Sequence, residues 1–136
     1  MKNGRIVRWF SKGKRGEIWD DITLPIPDDL EAARKIREIC NAAVGSAEIT
    51  ASQFGQEETK AASREAQRYK RAARVAMEIA IKMTDNLVRD AAVCQIVVLC
   101  TKAKDLKTAG ILFRAVQEPS IREDLLNEHP VLRQGD

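Results

Sequence analysis

The chain is poor in the residues that usually build catalytic and metal centres. It has one histidine, His129, in 136 residues, so a zinc site of ordinary composition lacks its ligands. Three cysteines make an odd count, and Cys40, Cys94 and Cys100 all lie in apolar stretches. They read as reduced, buried thiols of a cytosolic protein rather than a disulfide framework. Cys94 and Cys100 are six positions apart, which puts them on different faces of a helix and makes them poor co-ligands. Long apolar runs are also missing. The longest, Ala91 to Cys100, covers ten residues and is interrupted by Gln95, whereas a spanning helix needs about 20. No apolar segment follows the opening Met-Lys-Asn-Gly-Arg, so no secretory signal is read and a cytoplasmic location is expected. There is no glycine-rich phosphate loop, nucleophile elbow or metal-ligand cluster. No cofactor and no metal are therefore expected, and an enzyme is not the leading reading.

What is present fits one domain with a proper core. Hydrophobic residues make up 44% and charged residues 32%, which excludes both disorder and a membrane protein. The formal net charge of +3 conceals a sharp polarity. Residues 1–16 hold Lys2, Arg5, Arg8, Lys12, Lys14 and Arg15 and no acid. Residues 17–31 hold Glu17, Asp20, Asp21, Asp28, Asp29 and Glu31 and no base. Such blocks either neutralise each other across a hairpin or meet separate partners.

The pattern predicts a mainly α protein: a short N-terminal β-hairpin arm (1–27) before a bundle of about five helices (28–136). Arg5 to Phe10 is rich in β-branched and aromatic residues, Ser-Lys-Gly-Lys-Arg-Gly supplies turn chemistry, and Glu17 to Leu24 reads as the second strand. Arg8 opposite Asp20 would favour that register. Pro25 and Pro27 end the arm. A first helix begins near Asp28, with acids at its positive end, and weakens near Gly45-Ser46. The most regular stretch is a second helix from Gln56 to Leu87. In it Ala62, Ala66, Tyr69, Ala73, Ala76, Ala80, Met83 and Leu87 recur at steps of four and three, the period of a close helix–helix or dimer seam. Arg74, Glu78 and Lys82 promise intrahelical ion pairs on its wet side. After a break at Thr84-Asp85-Asn86, Leu87 to Lys104 reads as a helix, although Val93 to Thr101 would also suit a buried strand. Two further helices run from Asp105 or Leu106 to Gln117 and from just after Pro119 to near His129-Pro130, with a capping-box spacing at Ser120 and Glu123.

Three groups of residues are candidates for chemistry. In the first, Arg5, Arg8, Lys12, Lys14 and Arg15 surround Trp9, so phosphates could be held while a ring stacks on a base. Val7-Arg8-Trp9-Phe10-Ser11 followed by Lys12-Gly13 resembles the opening of a cold-shock domain, whose aromatic residues stack on single-stranded nucleic acid. Trp9 would match the stacking tryptophan. The resemblance spans about 15 residues and stops there: Arg15 and Glu17 stand where the family has its next aromatics, and helices follow instead of barrel strands. It therefore bears on Trp9 and not on family membership. The second group, Lys60, Arg64, Arg68 and Arg71, forms a basic stripe along one helical face. The third is Arg122 and His129, with six residues between them, a spacing at the upper limit of that in helical ribonucleases of the HEPN class.

The leading expectation is a non-enzymatic, oligomerising interaction module, a homodimer with a possible protein partner and no membrane attachment. A nucleic-acid-binding regulator working through the N-terminal basic segment is the alternative, and a HEPN-like ribonuclease comes third.

Overall fold

A computed structural model describes residues 16–53, 56–57 and 59–135. Five α-helices follow one another: α1 (Asp29–Ser52), α2 (Lys60–Ala80), α3 (Asn86–Lys102), α4 (Leu106–Ala115) and α5 (Pro119–Glu128). A 3₁₀ segment, Pro130–Gly135, closes the described chain. No strand occurs among the described residues. Helix α1 packs most extensively on α2 and next on α3, and α3 in turn carries α4.

Local chemistry sets most boundaries. Asp28 caps α1 by accepting the Leu30 N–H at 3.0 Å, with Asp29 and Glu31 in the first turn. The helix does not weaken at Gly45-Ser46. Ser46 is buried, donates to Glu65 Oε1 at 2.6 Å and accepts from Arg68 at 2.8 Å, so bonds from α2 hold the turn that local propensity would loosen. Helix α2 is shorter than the Gln56–Leu87 expectation at both ends. Thr59 caps it by accepting the Ala62 N–H, and a turn from Ala80 to Met83 ends it. Asp29 then takes over the expected break. Its carboxylate accepts the backbone N–H groups of Thr84 (3.1 Å) and Asp85 (2.6 Å), and these bonds, Asp85's foremost, lower its pKa.

Residues 93–101 are helical. They belong to α3, which Asp85 caps through Val88 N–H. Lys104, at φ 60°, makes the left-handed turn into α4 and lets Asp105 N–H reach Cys100 O at 2.9 Å. The capping box at Ser120 and Glu123 does not form, because Pro119 is already the first helical residue and Glu118 is the cap. The N–H groups of Gln117 and Glu118 are instead accepted, at 2.9 Å each, by Asp90 from the second turn of α3.

The alanine seam is covered within the single chain. Ala62, Tyr69, Ala73, Ala76, Ala80 and Met83 are buried and Ala66 is half-buried. Leu87 departs from the seam: it sits beyond the break, in the first turn of α3, and is 58% exposed. Cys40 and Cys100 are buried, Cys94 half-buried, and all three are free thiols.

Candidate nucleic-acid interface

Residues Arg5, Arg8, Trp9, Lys12, Lys14 and Arg15, and the first strand proposed around them, lie outside the described residues. The described half of that arm is a turn rather than a strand. Asp20 accepts the Glu17 N–H on its side chain (2.9 Å) and returns its own N–H to Glu17 O (3.0 Å), which closes a local turn. Beyond the turn the chain runs along the bundle as a strap to Pro27, with Ile22, Leu24 and Ile26 packed on the core.

Trp19 nails this strap down. It is 2% exposed, and the guanidinium of Arg68 lies 4.9 Å from its ring centroid. Arg68 also binds Glu17 in a fork, Nε to Oε2 at 2.8 Å and Nη2 to Oε1 at 3.0 Å. Its remaining nitrogen donates to Ser46 Oγ and Ala42 O on α1. The Glu17 bond raises the pKa of Arg68 further above its ordinary value. One turn on, Arg71 Nε lies 3.3 Å from Asp20 Oδ1; the Arg8 partner expected of Asp20 lies outside the described residues.

The basic stripe is thus divided by use. Arg68 and Arg71 secure the acidic turn. Lys60 and Arg64 are exposed and make no ion pair among the described residues. The same holds for two cations outside the stripe, Lys70 and Arg74. Arg74 was expected to pair with Glu78 within the helix, and no such pair forms among the described residues. Lys70 lies one step off the four-and-three rhythm of the stripe, and its i,i+4 relation to Arg74 is the signal for it in the sequence. Between the turn and α2 runs an open groove of about 1000 Å³, with Trp19 in its wall and Arg64, Arg68, Lys70, Arg71 and Arg74 along it.

Other candidates are engaged elsewhere. Arg122 donates to the carbonyls of Phe113 (3.2 Å) and Val116 (3.0 Å) and stacks on the Phe113 ring at 4.3 Å. Its donors hold the end of α4, while His129 terminates α5. Among the described residues no group of three or more metal-ligating side chains converges. Nor is any described helix long and apolar enough to cross a membrane.

Comparison with family models, with curated proteins and with solved structures finds no match.

Proposed function

We propose that this protein is a non-enzymatic binding module that holds nucleic acid against the exposed face of α2, with the cationic N-terminal segment as a second contact. The observation behind this reading is the concentration on one helix of exposed cations that make no ion pair among the described residues. Lys60, Arg64, Lys70 and Arg74 share α2 with a single acid before residue 75, Glu65, which is hydrogen-bonded to Ser46. Arg15 stands two residues before Glu17, whose carboxylate rests on Arg68. Like charges gathered in this way repel one another, and a polyanion relieves the repulsion by counterion release.

Oligomerisation along the alanine seam has less to draw on, because six of its eight positions are already buried within the chain. The ribonuclease reading needs a guanidinium free for phosphate, whereas that of Arg122 is committed to backbone carbonyls.

The test is fluorescence anisotropy with labelled DNA and RNA oligonucleotides at low salt. The unmodified protein is expected to bind, and combining Arg64→Ala, Lys70→Ala and Arg74→Ala to weaken binding about tenfold or more while leaving the helical circular dichroism unchanged. Absence of binding by the unmodified protein, or equal binding by the variant, would overturn the reading.

A further inference from the structure

A second, smaller cleft opens between α2 and α4, with a volume of about 170 Å³. Its walls are apolar (Ala73, Met77 and Leu112), and Asp105 and Thr108 supply polar groups from the start of α4. Lys70 and Arg74 stand at this cleft and also line the basic groove, so the two sites share their cations. Asp105 is held in place. Its Oδ2 accepts the hydroxyl of buried Tyr69 at 2.7 Å, and its Oδ1 accepts the Thr108 N–H at 3.3 Å. A carboxylate offers about four lone-pair sites, so one on each oxygen remains for a ligand.

We propose that this cleft takes the base of a guanine nucleotide from a single strand, with Asp105 accepting from its Watson–Crick edge while Lys70 and Arg74 hold the adjoining phosphates. The proposal rests on the nucleic-acid reading above and names the feature that the strand presents. Guanine carries N1–H and the N2 amine side by side, two parallel donors that suit a carboxylate as a guanidinium does. Adenine and cytosine set an acceptor next to their amine. Thymine and uracil flank N3–H with carbonyl oxygens, which a carboxylate repels. In a duplex the same edge is already paired, so the cleft selects unpaired strands.

The experiment compares short oligothymidylates carrying one central guanine, hypoxanthine or thymine, read by fluorescence anisotropy. Hypoxanthine keeps N1–H and lacks the N2 amine. The guanine strand is expected to bind about tenfold more tightly than either of the others. Asp105→Asn retains a capping oxygen for α4 and should abolish the guanine preference, read as the ratio of guanine-strand to thymidylate affinity. Equal affinity of the unmodified protein for all three strands would overturn the base site and leave the phosphate-binding face standing. Failure to bind any strand would overturn both. The guanine–hypoxanthine comparison uses the unmodified protein and decides the matter even if the variant does not fold.

Discussion

Asp90 shows how much one buried side chain carries in this fold. Among the described residues it is the only fully buried carboxylate, and a single oxygen of it accepts two N–H groups at the entry to α5. Its other oxygen has no partner among the described residues. Asp90→Ala strands both donors, and a loss of about 2 kcal/mol in urea denaturation is expected. Asp90→Asn keeps one acceptor oxygen and should cost less. The thiols make a different prediction. Burial pushes Cys40 from its ordinary 9.0 to about 12, and Cys100 to about 11. Because the folded values are raised, the unfolded thiols ionise first as pH rises. Their contribution to stability is full below about pH 9 and fades as pH climbs through about 11 to 12. Denaturation midpoints across this range should fall, and the fall should be shallower in Cys40→Ala.

At the scale of elements, the strap from Glu17 to Pro27 has no ladder among the described residues and is held there by its anchors. Trp19→Ala removes a buried indole together with the ring beneath Arg68, and a loss of about 3 kcal/mol or more is expected from thermal or urea unfolding. A loss under about 1 kcal/mol would mean that the strap is not secured in this way. The helices themselves were legible because their signals are local. Asp28 and Asp85 cap as residues of their type do, and the spacing of Leu87, Ala91, Cys94 and Val98 selected helix over strand for residues 93–101. Where the reading departed from the structure, a distant partner had intervened. Ser46 is tied to Glu65 and Arg68, nineteen and twenty-two residues away, and Asp90 takes over the capping that the Ser120 spacing had promised. Among the described residues the chain at Glu17–Asp20 is a turn, whose acids meet Arg68 and Arg71 across about fifty residues of sequence. No local pattern encodes such pairings.

Across the whole molecule, the separation of charge is the property on which the proposed function rests. The acidic block after residue 16 is partly consumed in building: Glu17 and Asp20 bind α2, while Asp28 and Asp29 serve helix starts. The cations have a different fate. Among the described residues only Arg68 and Arg71 of the basic face are paired with acids, while Lys60, Arg64, Lys70 and Arg74 are exposed. The candidate site was thus half legible in the sequence. The stripe could be seen, but which of its members were spent on structure, and the adjacent roles of Lys70 and Arg74, depended on where the N-terminal turn docks.

The most direct measurement is the slope of log affinity against log salt concentration for a single-stranded oligonucleotide, taken for the unmodified protein and for the combined Arg64→Ala, Lys70→Ala and Arg74→Ala variant. Each phosphate contact on a single strand contributes about −0.7 to that slope. Removal of three contacts should therefore make it less negative by about 2. An unchanged slope, or an affinity indifferent to salt in the unmodified protein, would contradict the assignment of the α2 face as the phosphate-binding surface.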